Sequence, residues 1–138
     1  MNFPYLVRFQ PVLLSLFRFM TGLLLLQYGI AKLFKFPPVP MFAKVELMSL
    51  YGAAGTLELV VGGLLMIGLF TRLAAFILSG EMAFAYFIGH AGEGFWPVLN
   101  GGSAAIFYCF YFLYLSAAGA GPLALDTLLF AKRRGAEP

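Results

Sequence analysis

Apolar residues run along this chain in four long blocks, at about residues 12–34, 49–70, 73–89 and 104–119, separated by short stretches richer in Pro, Gly and charge. Leu, Ala and Gly fill the blocks without the apolar–polar alternation of barrel strands. A helix needs roughly 20 apolar residues to cross the hydrocarbon of a bilayer. In lipid, only a helix or a closed barrel satisfies its own backbone. The pattern therefore predicts an all-α fold, a four-helix transmembrane bundle with short connections, forming a single domain over residues 1–138. The third and fourth blocks are the shortest.

The connections add detail. The first has three prolines between Pro37 and Pro40, which end the first helix and stiffen the turn. Met41 to Met48 then reads as a short amphipathic segment on the outer surface. The second connection, "LFTRLA", is so short that spans two and three are antiparallel neighbours. The third, "GHAGEGFWPVLNGGS", holds the only Trp and the only His. Phe95 and Trp96 read as interface anchors, and the turn at Asn100–Ser103 offers Ser103 as an N-cap for span four. Beyond Gly121-Pro122, Asp126 reads as the cap of a short C-terminal interfacial helix. Its Leu and Phe face lipid, and Lys132, Arg133 and Arg134 face water.

Composition agrees with a bilayer as solvent. The chain is 62% hydrophobic and 11% charged, where a soluble domain carries roughly 25% charged residues. Four spans leave no length for a soluble catalytic domain. The first block exceeds the apolar core of a signal peptide, and no small-residue cleavage site follows it, so it reads as a retained span. Arg8, Arg72, Lys132, Arg133 and Arg134 fall on one side, against Lys32, Lys35 and Lys44 on the other. This bias places both termini in the cytoplasm. The net charge of +3 suits anionic lipid headgroups, and no basic stripe interleaved with aromatics points to nucleic acid. The one cysteine, Cys109, excludes an internal disulfide and any dithiol chemistry without a partner's sulfur.

The candidate chemistry lies in the few charges inside the blocks. At helical spacing, Arg18, Gly22, Leu25, Gly29 and Lys32 share one stripe. Tyr51, Gly55, Glu58, Gly62 and Leu65 share a second, and Ala74, Glu81, Ala85 and Ile88 a third. Small residues let membrane helices approach closely, so the charges should face the bundle interior. At 1.5 Å per residue, Glu58 lies roughly 16 Å, Glu81 roughly 12 Å and Arg18 roughly 9 Å from the cytoplasmic ends of their spans. These depths predict that Arg18 pairs with Glu58, with Glu81 close by, and these three are the candidate catalytic residues. The cluster reads either as architecture alone or as a site touched by substrate or proton.

Lys32, Arg72, His90 and Tyr51 are candidate ligand-binding residues. Lys32 and Arg72 also read as snorkelling residues at opposite interfaces, His90 as a residue of the outer mouth, and Glu93 as solvated. In span four, Tyr108, Tyr111 and Tyr114 drift around the helix, while Cys109 and Ser116 share a presumed packed face with Ala105 and Leu113. No metal-ligand cluster, nucleophile triad or phosphate loop is present.

Several pieces, in order and spacing, resemble the DoxX family of small bacterial membrane proteins. They are Arg18-x3-Gly22, "YGIAKL" with Gly29 and Lys32, "GTLELVVGGLLMIGLFTRLAA", Met82, His90, "FWPVLNGG", "YCFYFLYLSAAGAGP" and Leu125-Asp126. The resemblance spans nearly the whole chain, with family positions matched at Arg18, Glu58 and Arg72. It departs at Ser103, where members often carry an acid, and at Leu123-Ala124, where they often carry Trp-Ser.

The resemblance implies a multi-pass protein of the bacterial inner membrane. Some relatives are linked to thiosulfate:quinone oxidoreduction, others to quinone or catechol resistance and oxidative stress. The expectation is a protein that supports redox chemistry by binding a quinone, with no electron carrier of its own and a soluble or membrane oxidoreductase as partner. Its alternatives are a non-enzymatic anchor or assembly subunit, and a small transporter or proton path. The bilayer is the other expected partner, and the small glycine-rich bundle is compatible with a homodimer.

Overall fold

The computed structural model describes residues 3–134, and the side chains of residues 131–134 fall outside that description. The expected solvent-facing placement of Lys132, Arg133 and Arg134 falls there too. The described residues are all-helical, with seven α-helices and no strand. These are α1 (Pro4–Val7), α2 (Gln10–Phe34), α3 (Leu50–Ile67), α4 (Thr71–Gly89), α5 (Pro97–Asn100), α6 (Ser103–Ala118) and α7 (Leu125–Arg134). Helices α2, α3 and α4 are long and apolar enough to cross a membrane, and α6 is a shorter apolar helix of 16 residues.

Their limits follow local chemistry. Ser49 accepts the amide of Gly52 at 3.1 Å and starts α3. α3 stops at Ile67, three residues before the end of its apolar block, because Gly68 takes the left-handed conformation at φ 73°. The amide of Leu69 then closes back on the Leu64 carbonyl at 2.9 Å, a C-terminal motif in which glycine avoids the Cβ clash of other residues.

The Met41–Met48 segment is built of turns. A 3₁₀ turn at Pro40–Phe42 leads into turns, and the Lys35 ammonium gathers the carbonyls of Lys32, Phe42 and Val45 at 2.6–2.9 Å. Once those carbonyls hold one cation, the loop satisfies its backbone without a helix. Ser103 does not cap α6. The cap position is Gly102, whose amide donates to Asn100 Oδ1 at 2.8 Å.

α2 packs on α3, and α4 on α6, with α3 and α4 joining the two pairs. One apolar core draws on all four, including Leu25, Leu65, Leu78, Met82, Phe112 and Leu115. The α2–α3 seam is close because of glycine. A Cβ on Gly22 would sit 2.6 Å from the Met66 amide nitrogen, and one on Gly29 would sit 2.6 Å from that of Leu59. Outward faces are apolar, as a lipid-facing surface requires, with Phe76, Phe84, Phe107 and Phe110 each more than 60% exposed.

The packed faces of α4 and α6 differ from expectation. On α4, the buried row is Thr71, Ala74, Ala75, Leu78, Ser79 and Met82, whereas Ala85 and Ile88 are exposed. Glu81 therefore sits at the edge of the packed face rather than at its centre. On α6, Ala105, Phe112 and Leu115 are packed, and Leu113 turns outward. Cys109 rests partly buried against the core.

Candidate functional site: two separate polar centres

Arg18 does not meet Glu58. Its guanidinium is 2% exposed and binds four backbone carbonyls. Nε donates to Ala120 at 2.9 Å, Nη1 to Leu65 at 2.7 Å and Met66 at 2.6 Å, and Nη2 to Leu123 at 2.6 Å. Leu65 and Met66 lie in the last turn of α3, where the helix dipole favours a cation; the Leu65 carbonyl also accepts the Gly68 amide at 3.1 Å. Ala120 and Leu123 belong to the turn between α6 and α7. Ser15, also buried, accepts the Leu123 amide at 3.1 Å on the same turn. Arg18 is a clamp that joins three segments at the end of the molecule nearest both termini.

The register explains why the expected pairing fails. The glycine contacts set Gly22 against Gly62 and Met66, and Gly29 against Gly55 and Leu59. Arg18 thereby comes level with Gly68, where a Cβ would lie 3.0 Å from its Cζ. Gly68 is ten residues past Glu58, about 15 Å along a helix. No arginine rotamer spans that distance.

The cation that meets Glu58 is Lys32. Its Nζ donates to both carboxylate oxygens, at 2.7 and 2.8 Å, and the two side chains are 9% and 6% exposed. The Lys32 stem passes over Gly55, where a Cβ would approach its own Cβ to 2.9 Å. The Phe42 ring, itself buried, lies 5.3 Å from Nζ and closes the third side of the ammonium. Lys32 is thus a buried partner and not a snorkelling residue. An ammonium has three donors, and the carboxylate and ring face account for all of them.

Glu81 is the third member of this centre. It lies within electrostatic range of both Glu58 and Lys32. Both of its carboxyl oxygens are buried, and neither has a hydrogen-bond partner among the described residues.

The remaining candidates do not converge here. Tyr51 is 52% exposed near the start of α3. His90 lies at the end of α4 that is far from the termini, where Nδ1 donates to the Asn100 carbonyl at 3.0 Å. Asn100 also donates to the Gly94 carbonyl at 2.9 Å, so this loop is held by an asparagine that the sequence marks only as a turn residue. Glu93 is exposed. Arg72 lies at the Arg18 end, where Nη1 donates to the Ser116 carbonyl at 3.1 Å and to that of Ala117.

Asp126 does not serve its own helix. Its carboxylate accepts the amides of Phe70 at 2.7 Å and Thr71 at 2.8 Å, so it caps α4 from α7. Nothing in sequence spacing signals that long-range cap. Among the described residues, no group of three or more His, Cys, Asp or Glu could hold a metal ion.

This geometry defines a membrane protein with one structural polar clamp and one buried acid–base cluster. The chain belongs to the DoxX family, whose model matches residues 13–91, a range that includes Arg18, Lys32, Glu58, Arg72 and Glu81. An uncharacterized protein of Haemophilus influenzae is 41% identical over 138 residues, covering 92% of this chain and 98% of that protein. A second uncharacterized protein of the same organism is 36% identical over 72 residues, covering 52% of this chain and 48% of its own length. No solved structure matches the chain.

Proposed function

We propose that the four long helices form a transmembrane bundle in the bacterial inner membrane, both termini cytoplasmic, and that the Lys32–Glu58–Glu81 centre binds a quinone-type lipophile for a redox partner. The observation that carries this reading is the Glu81 carboxyl, whose two buried oxygens lack a partner beside an ion pair that is fully satisfied. Ionisable groups held inside a membrane are costly and are kept for ligands, ions or protons. A quinone brings reversible two-electron chemistry with protons taken up at its oxygens, and the oxidoreductase partner supplies the electrons.

The residues divide the work. Protonated, the Glu81 carboxyl donates a hydrogen bond to a carbonyl oxygen. Ionised, it accepts one from a hydroxyl. It is therefore the group that can pass a proton to or from the ligand. Lys32 and Glu58 fix the local field and hold α2 to α3. Arg18 takes no part in ligand binding, because four of its five N–H donors are committed to carbonyls and the residue is buried.

The test is organic extraction of the purified protein followed by mass spectrometry, on wild type and Glu81→Gln. Quinone carried by the wild type and lost from the isosteric variant supports the reading. Equal quinone content in the two overturns it.

The Arg18 clamp favours a second reading, an anchor or assembly subunit whose buried charges only organise helices. Under it, the protein carries no lipophile and co-purifies with a stable oxidoreductase subunit.

A further inference from the structure

A second site lies at the Arg18 end, independent of the acid–base centre. A cavity of about 570 Å³ opens there between the start of α4, the end of α6 and α7. Its polar lining includes Thr71, Arg72 and Asp126, and its apolar walls include Phe70, Leu73 and Phe130. Arg72 reaches the α6 carbonyls through Nη1 alone, and Gly119 leaves room for the guanidinium, since a Cβ there would meet Nη2 at 3.1 Å. Nε and Nη2 have no acceptor among the described residues. Thr71 is 0% exposed, and its hydroxyl has no partner among the described residues.

Opposite charges therefore line the same cavity. Arg72 offers unused donors, and Asp126 offers a carboxylate whose oxygens each accept one amide and keep a further lone pair. The rings of Phe70 and Phe130, with centroids 6.4 Å apart, stand at the same cavity. Leu73 and Phe76, each 63% exposed, continue from it along the outward face of α4.

We infer that this cavity holds the headgroup of a zwitterionic phospholipid, with its phosphate on Arg72 and the Thr71 hydroxyl and its ammonium between Asp126 and the aromatic rings. The phosphate suits the guanidinium fork. The ammonium suits a carboxylate flanked by ring faces. The acyl chains lie on the exposed row of α4. A purely anionic headgroup would leave the Asp126 carboxylate facing like charge, which sets the expected order of preference: phosphatidylethanolamine above phosphatidylglycerol.

Native mass spectrometry of the full chain in detergent tests this, with phosphatidylethanolamine, phosphatidylglycerol of the same acyl chains and inorganic phosphate as probes. Wild type should retain phosphatidylethanolamine preferentially. Arg72→Gln and Thr71→Val should each weaken retention by about tenfold or more, the scale of one hydrogen bond to a charged group. Lys44→Gln, at the other end of the molecule, should not.

Thr71→Val keeps the test decisive if Arg72→Gln destabilises the α4–α6 contact. An orphaned hydroxyl that meets no ligand would give a more heat-stable variant with unchanged lipid retention, and that result overturns the inference. Equal retention of the two lipids, or displacement of bound lipid by inorganic phosphate, also overturns it.

Discussion

Removing one member of the Lys32–Glu58 pair should harm the fold far more than removing both. With the side chains only 9% and 6% exposed, Lys32→Met leaves Glu58 buried with no cation, and Glu58→Leu leaves the ammonium against the Phe42 ring with no carboxylate hydrogen-bonded to it. Stranding one partner of a buried ion pair costs about 3–5 kcal/mol, whereas replacing both with well-packed apolar residues is often neutral or stabilising. Each single variant should therefore lose about 3 kcal/mol or more, and the double variant should lie within about 1 kcal/mol of wild type. The resulting coupling is well beyond the roughly 0.3–0.5 kcal/mol scatter of independent sites.

Far-UV circular dichroism during reversible denaturation in mixed detergent micelles measures all four proteins. Two single variants within about 1 kcal/mol of wild type, whose effects add in the double variant, would refute the claim that this pair is what makes a buried acid tolerable.

Other substitutions probe other parts of the same structure. Gly22→Ala and Gly29→Ala push a Cβ into the α3 backbone and should each cost about 1–3 kcal/mol. Gly80→Ala, with nothing within 4 Å, should stabilise α4 by up to about 1 kcal/mol in the same denaturation assay. Arg18→Lys should cost about 3 kcal/mol or more, because a point charge cannot hold four carbonyls from two segments; a thermal midpoint equal to wild type would contradict the clamp. Asp126→Ala should cost about 0.5–2 kcal/mol and raise amide hydrogen exchange selectively at Phe70 and Thr71, the amides it accepts. Glu81→Leu should raise stability by about 1–3 kcal/mol, because it removes an unpaired buried group, while abolishing quinone retention; a destabilised variant would mean that Glu81 has a structural partner.

The helices were legible in the sequence because their signals are local. The first hydrophobic block ends at the Pro37–Pro40 turn, a punctuation that acts within a few residues, whereas the left-handed Gly68 ends α3 three residues before its block does. Shared faces were legible where a row of small residues had one reading, as at Gly22, Gly29, Gly55 and Gly62. Which cation meets Glu58 was not legible. Depth counted from the ends of apolar blocks carries no information on how α2 slides along α3. That register is fixed by where Gly29 seats on Leu59 and where Gly22 seats on Met66. A slide of about four turns, the 14 residues from Arg18 to Lys32 at roughly 3.6 per turn, converts an Arg18 partner into a Lys32 partner with no change in either helix's periodicity. The same limit hid Asp126, which serves amides 55 and 56 residues away, and Phe42, a loop aromatic that becomes the lid over Lys32.

Satisfaction separates the two polar centres. Arg18 commits its nitrogens to carbonyls in the last turn of α3 and in the turn after α6, so its buried charge is compensated by backbone acceptors. Lys32 and Glu58 settle each other. Buried side-chain oxygens without partners among the described residues occur on Thr71, Tyr111 and Glu81. The first two are hydroxyls, which stay neutral near pH 7 and can offer a ligand a hydrogen bond but no charge. A carboxyl can also carry charge and release a proton, so the same lack of partners leaves it free to do chemistry. The buried guanidinium and the buried ammonium are both compensated, Glu81 is the one buried acid among the described residues without a partner, and the proposed quinone site rests on that difference.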